Sequence, residues 1–334
     1  MISRRRIISV FLPLALILAL AGCVPVAAPV SSTGQMPTPV EQAETAVASA
    51  EDGKLKIALI PVLDIIPIFV AQQNGYFEAQ GIQVETVPVK SPQERDVLIQ
   101  TGQVDAVLTD LQSVGLLNKE QTRVKAVYTS RRPFPNAPLF RILSAPRSNI
   151  TIPADLKGVP IGISNNTIIE YLTDRILTAE GLAPDEIAKI EVGAITVRYE
   201  QLMNGNIQAA VLPDPLAQGA IAAGATLVVD DAGYAELSQS VLTFTTAALA
   251  AKPQTVTKFL AAWEQAVTEL NANPEQYRAI LIEQGRVPQN LQDSYEMPPF
   301  PTRGVPSEAE VTDVIAWLQE KGLVTRNLAY TDMV

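Results

Sequence analysis

Two hydrophobic rhythms alternate along this chain. Lys56 to Val62 (KIALIPV) is a short, β-branched apolar run, the mark of a buried strand. Ile65 to Asn74 repeats at helical spacing and stops at Gly75. Gln83 to Val89 alternates as a strand, and Pro92 to Thr101 returns to helical spacing. A strand over Val104–Leu108, a helix over Leu111–Asn118 and a strand over Val124–Ser130 follow. Strands alternating with helices predict an α/β fold with mostly parallel sheets.

The rhythm restarts near Asn149. Pro153 to Gly158 predicts a short helix, Val159–Ile163 a strand, and Thr167–Glu180 a helix closed by Gly181. Ile190–Val192, Ala209–Leu212 and Thr226–Val229 read as strands. Val197–Asn204 and Pro215–Ala223 read as the helices between them. Beyond Thr246 the pattern is helical, over Gln254–Ala272, Pro274–Gln284 and Glu308–Lys321. Trp263 and Trp317 sit on apolar helical faces there, which makes them packing residues. One phrase occurs in both halves: GQVDAVLTDLQS from Gly102 and GNIQAAVLPDPLAQ from Gly205. Each ends an apolar strand on an acid-bearing turn.

The N-terminus changes the picture of where the chain works. Arg4, Arg5 and Arg6 precede an apolar run, Ile7 to Leu20, that is too short to span a membrane comfortably. It ends in Leu20-Ala21-Gly22-Cys23, which looks like a lipobox, and Cys23 is the chain's one cysteine. The expectation is a signal peptide over 1–22 and a lipid on Cys23 that holds the chain to the outer face of the cell membrane. The segment 23–53 is rich in Pro, Ala, Ser, Thr and acids and reads as a flexible tether. Net charge is −10. Removing 1–22 takes three arginines and no acid, giving −13, which argues against nucleic acid as a partner. The chain has no histidine, so the commonest general base and metal ligand are absent. Neither catalysis nor a cofactor nor a metal is expected.

Pro67, Val70-Ala71, Gly75-Tyr76-Phe77, Gly81-Ile82, Val84-Glu85 and Gly102-Gln103-Val104-Asp105-Ala106 carry a family resemblance in the first half. Ile152 to Gly158, Ile161-Gly162 and Gly205-Asn206-Ile207 extend it. In this order they resemble the SsuA/THI5-like (NMT1-like) solute-binding proteins of ABC importers. The resemblance implies a two-lobed clamshell of the type II-like periplasmic-binding-protein class, with a mostly parallel sheet flanked by helices in each lobe. Lobe one is expected over 54–143 plus 247–334 and lobe two over 144–246. Two hinge crossovers fall near Leu143-Ser144 and Leu242–Thr246. A monomer that hands a small molecule to a permease is implied.

Ligands of open parallel sheets bind beyond the carboxyl ends of the strands. That rule selects Asp64, Thr109, Asp110, Tyr128, Ser164, Asn165, Asn166, Thr167 and Asp214, with Glu170 one turn into its helix. Phe69 and Phe244, with Tyr171, Tyr199 and Tyr234, are aromatic candidates for stacking on a flat ring. Each Asp near a helix start is equally an N-cap candidate. Apart from Arg131 these loops offer carboxylates and amides, a chemistry suited to a neutral heterocycle. Within the family the resemblance is closest to the riboflavin-binding type, so riboflavin is the expected ligand. A thiamine pyrimidine precursor and an anionic sulfonate or nitrate are the alternatives. A basic residue carried into the cleft would favour the anion.

Overall fold

The structure is a computed structural model and describes residues 51–334. The expected signal peptide, Cys23 and most of the tether lie outside the described residues. The body begins at Glu51, whose carboxylate accepts hydrogen bonds from Gln254 N, Thr255 N and Thr255 Oγ1.

The first half of the chain forms β1 (Lys54–Leu59), α1 (Ile66–Gln73), α2 (Tyr76–Ala79), β2 (Gln83–Pro88), α3 (Pro92–Gln100), β3 (Ala106–Thr109), α4 (Leu111–Leu117) and β4 (Val124–Arg131). The second contains β5 (Phe140–Ser144), β6 (Ile161–Ile163), α5 (Ile168–Ala179), β7 (Lys189–Glu191), α6 (Ile195–Met203), β8 (Ala209–Pro213), α7 (Leu216–Ala222) and β9 (Thr226–Asp230). The chain then runs through β10 (Ser240–Thr245), α8 (Thr246–Ala251), α9 (Pro253–Ala272), α10 (Arg278–Gln284), α11 (Glu308–Glu320) and α12 (Tyr330–Met333).

Two five-stranded sheets result, ordered β2-β1-β3-β10-β4 and β7-β6-β8-β5-β9. β1 runs parallel to β2 and β3, whereas β10 is antiparallel to both β3 and β4. In the second sheet β6 runs parallel to β7 and β8, and β5 is antiparallel to β8 and β9. Each sheet therefore has four strands pointing one way and a single reversed strand in the same place.

The reversed strands were not expected as strands. β5 and β10 occupy the stretches where the sequence suggested hinge crossings. They are short apolar runs, buried between two neighbours, and each completes the sheet that the chain has just entered. Sheet membership changes across 132–139 and again across 231–239. These two segments are the crossovers, in place of Leu143-Ser144 and Leu242–Thr246. Asp231, wholly buried, ties them together. Its carboxylate accepts from Leu139 N at 2.9 Å, Phe140 N at 3.1 Å and Ser238 Oγ.

The outer face of the first sheet packs on α1 and α9, where Phe77 stacks on Phe259 and Trp263 lies fully buried. Its inner face shares a core with α4, α5 and α11. α11 continues that core with Val311, Val314 and Leu318, and adds polar links to α5. Tyr171 donates to Asp313, Trp317 Nε1 donates to Asp174, and Lys321 pairs with Glu170. α11 thus touches both lobes. Among the described residues no helix is long and apolar enough to cross a membrane.

Candidate functional site

The carboxyl ends of β1, β3, β4, β6 and β8 converge on one cavity of about 80 Å³. Ile60, Val62 and Asp64 reach it after β1, Thr109 from the end of β3, Asp110 just after it, and Arg131 from the end of β4. Ser164 and Thr167 follow β6, and Pro213 ends β8 with Asp214 next to it. The reversed strands begin at this same edge, so Phe140 of β5 and Ser240 of β10 also line the cavity. The two acid-bearing turns of the repeated phrase are two of its walls.

Each acid in the wall is already engaged. Asp110 is the N-cap of α4, accepting from Ser113 N at 2.8 Å. Asp64 accepts from Ser240 Oγ. Asp214 is bound by Arg141 through two parallel bonds, Nε to Oδ1 at 2.9 Å and Nη2 to Oδ2 at 2.8 Å. The cap of α7 is Pro215, with no side-chain cap bond, so the ion pair is the principal engagement of Asp214.

Three arginines stand among these acids: Arg95, Arg131 and Arg198, all buried. Arg95 is satisfied. It binds Asp96 at 2.8 Å and Ser113 Oγ at 2.8 Å. Burial works against its charge, but Asp96 and Asp110 outweigh that and raise its pKa. Arg198 donates to the carbonyls of Val211 and Val192 and to Ser164 Oγ, yet pairs with no carboxylate. Burial pushes it down to about 10, so it remains charged near neutrality. Its Nη2 has no hydrogen-bond partner among the described residues. Arg131 is 1 % exposed and lies over the Phe300 ring at 5.1 Å. Its Nε and Nη1 are likewise without partners, and so is Thr109 Oγ1.

Local sequence explains how these cations get inside. Arg95 shares the buried stripe of α3 with Pro92 and Ile99, and Arg198 that of α6 with Leu202. The stem of Arg198 crosses β6 at Gly162. A Cβ there would stand 2.6 Å from Ile207 Cδ1 and 3.4 Å from Arg198 Cγ, so glycine leaves room for both.

Several sequence candidates are not in the cavity wall. Tyr128 packs edge-on against Trp263, accepts from Arg303 N and donates to Pro301 O. Phe244 is fully buried beside Phe259, and Phe69 packs on the same core. Tyr171 lies against Trp317, Tyr199 on the core of the second lobe, and Tyr234 donates to Glu180. Tyr128 and Phe244 from strands, and Phe69, Tyr171 and Tyr199 from helices, all pack into the cores, so none of these candidates lines the cavity. Asn165 and Asn166 are exposed at the turn before α5, and Asn166 has φ 60°, a left-handed conformation that Asn tolerates. Their amides bind Glu191 and Glu170. Glu170 itself pairs with Lys189 and Lys321. Burial works to raise its pKa, but the Asn166 amide and the two lysines hold it below the usual carboxylate value. Thr167 caps α5 and accepts from Ile169 N.

Sequence reading missed Arg95 and Arg198. The available signal was an arginine set four residues before an apolar position of the buried stripe in each helix.

A second cavity, of about 580 Å³, adjoins the first. The crossover around 134–138, the segment 294–299, Arg141 and Gln218 line it, and Asp214 lines both cavities.

A family model described as NMT1/THI5 like matches residues 63–277. No curated protein matches the chain in sequence. Among solved structures, the alkanesulfonate-binding protein SsuA from Xanthomonas axonopodis pv. citri, bound to MOPS, superposes with a TM-score of 0.71 at 16% identity, covering 85% of this chain and 98% of that one. The periplasmic aliphatic sulphonate binding protein SsuA from Escherichia coli gives 0.71 at 19% identity, covering 84% and 97%. The periplasmic nitrate-binding protein NrtA from Synechocystis PCC 6803 gives 0.67 at 12% identity, covering 84% of each chain. These likenesses establish the two-lobed α/β fold.

Proposed function

Because the chain belongs to the NMT1/THI5-like family, we propose that it is the solute-binding member of an ABC importer, works outside the cytoplasm, and captures an organic sulfonate. The lipid on Cys23 and delivery to a permease belong to the same reading. One observation carries the choice of solute. Arg131 Nε and Nη1 and Arg198 Nη2 are buried, charged and unpartnered around a small cavity. A buried cation without a partner is costly, and an oxyanion supplies what both lack. Asp214 attracts Arg131 but is already held by Arg141, Asp110 faces Arg95, and Asp64 accepts from Ser240, so none of these acids bonds Arg131 Nε or Nη1 or Arg198 Nη2.

The geometry also suggests how capture is coupled to closure. Arg131 comes from the first sheet and Arg198 from the helix after the second sheet's β7. Without an anion, two like charges repel as the lobes approach. An oxyanion between them reverses the sign of that interaction, so closure is favourable only when the site is loaded. Thr109 Oγ1 adds a neutral donor. Sulfonate- and nitrate-binding neighbours share this fold and support an oxyanion, the two sulfonate binders superposing with the higher TM-score.

Riboflavin fits this site less well. A cavity of about 80 Å³ is far below the roughly 300–1,000 Å³ of pockets that bury drug-sized ligands. Among the described residues Phe140 is the one aromatic in its wall, so no pair of rings brackets a flat ligand there. Isothermal titration with methanesulfonate, nitrate and riboflavin separates the readings. Saturable heat with methanesulfonate and none with riboflavin is expected. Saturable riboflavin binding without any response to either anion would overturn the proposal.

A further inference from the structure

We infer that the solute is bipartite, with its oxyanion in the small cavity and its organic part in the neighbouring one, and that the Arg141–Asp214 pair is the partition between them. This rests on the sulfonate reading and adds to it where the rest of the molecule goes and which residues select it.

Three observations converge. The first is size. The cavity around Arg131 and Arg198 holds about 80 Å³, enough for an oxyanion headgroup and little more. The adjoining cavity holds about 580 Å³, within the roughly 300–1,000 Å³ range of organic-ligand pockets. The second is continuity. Asp214 lines both. Its two oxygens are held by Arg141 at 2.9 and 2.8 Å, and Arg141 lines the larger cavity. Tyr295, also in the wall of the larger cavity, is buried and feels the charges of Asp214, Arg131 and Arg141 together. The third is lining chemistry. The larger cavity sets Phe134, Tyr295 and Met297 beside Arg141, Glu296, Asn136 and Gln218, and its lining is more polar than apolar. Such a wall suits an organic part that carries its own polar or amine group.

The partition is a salt bridge, which can swing without exposing an unpaired charge so long as Arg141 and Asp214 move together. Its polar edge faces the carbon that joins headgroup to tail. A solute with an amine or ether near the headgroup can bond Asp214 or Arg141 there. A solute with a plain alkyl chain leaves both groups facing hydrocarbon.

The test uses the full-length chain and two sulfonates that differ only in their tails, methanesulfonate and cyclohexylaminopropanesulfonate. Filling the larger cavity from its rim with Ser294→Trp, or from α7 with Gln218→Trp, is expected to weaken the tailed sulfonate at least tenfold. Methanesulfonate should change by less than about twofold, because neither residue lines the small cavity. That readout also shows that each variant is folded. Equal losses for both sulfonates, or no loss for either, would overturn the partition while leaving the anion site standing. Failure of the unmodified chain to bind methanesulfonate and the tailed sulfonate alike would overturn the anion reading and the partition with it. Binding of cyclohexylamine that is not displaced by the tailed sulfonate would mark the larger cavity as an independent site, which also overturns the partition.

Discussion

Arg131 and Arg198 are buried alike but held differently. Arg198 satisfies two carbonyls and a hydroxyl, so removing it would orphan those acceptors. Arg131 makes no side-chain hydrogen bond from Nε or Nη1. Its replacement by a chain of similar volume removes a buried charge and orphans nothing. Arg131→Met should therefore leave the ligand-free melting temperature unchanged or raise it. Sulfonate affinity should fall at least about 30-fold, or roughly 2 kcal/mol, the scale of a lost charge-assisted hydrogen bond. Thermal melts and titration on the same preparation check both halves, and a destabilised chain with intact affinity would contradict the assignment. At this scale the acids were legible in sequence. Asp110 and Asp214 close apolar strands on turns, a position that faces the cleft in any parallel sheet. The arginines were not legible as a set. A helix that carries a cation in its apolar stripe reads as a solvated face until neighbouring segments of its own lobe cover it, as Leu108 and Ser113 do for Arg95, and Ser164, Val192 and Val211 do for Arg198.

The helix α11 shows what pattern alone leaves open. Its apolar stripe and its start at Ser307 were readable, since Ser307 and Glu310 form a capping box. Its partner was not, because a stripe does not say which surface covers it. It lies against α4 of the first lobe and reaches α5 of the second through Glu170, Asp174 and Asp313. Glu170 is the most buried of these acids, 5 % exposed. Its pKa is held low, so its contribution to stability is present above the ordinary carboxylate value and is lost as pH falls below it. Glu170→Gln should cost about 1–3 kcal/mol at neutral pH, seen as an earlier urea midpoint, and the difference from the parent should shrink in acid. Sulfonate affinity should hold within about twofold, since Glu170 is outside the cavity wall. A penalty that persists unchanged at low pH would count against the ion-pair account. The reversed strands β5 and β10 escaped sequence reading for a related reason. Each is a short apolar run, and its neighbours in the sheet lie far away along the chain.

At the scale of the whole molecule, Asp231 fixes the relation between the two crossovers. Burial pushes its pKa up to about 6, against the pull of Ser238 and the Leu139 and Phe140 amides. A raised acid favours the folded state most when protonated. Its contribution is thus full below the unfolded value near 4 and is lost as pH rises through about 6. Asp231→Asn should flatten the decline of unfolding free energy between about pH 4 and 6. Urea titrations at intervals across that window measure it, and parallel pH profiles for parent and variant would refute the assignment. Overall topology was largely legible, because two runs of βα units restart at a visible boundary. The crossing points were not, since they depend on which sheet accepts β5 and β10. That exchange has a consequence for synthesis. β10 lies between β3 and β4, so the first sheet keeps an open slot until residues 240–245 have left the ribosome. A nascent chain that has already made the whole of the second lobe still carries a first lobe with two unpaired strand edges. Lobe one is begun first and finished last, and a chain truncated before Ser240 should aggregate rather than yield a lobe.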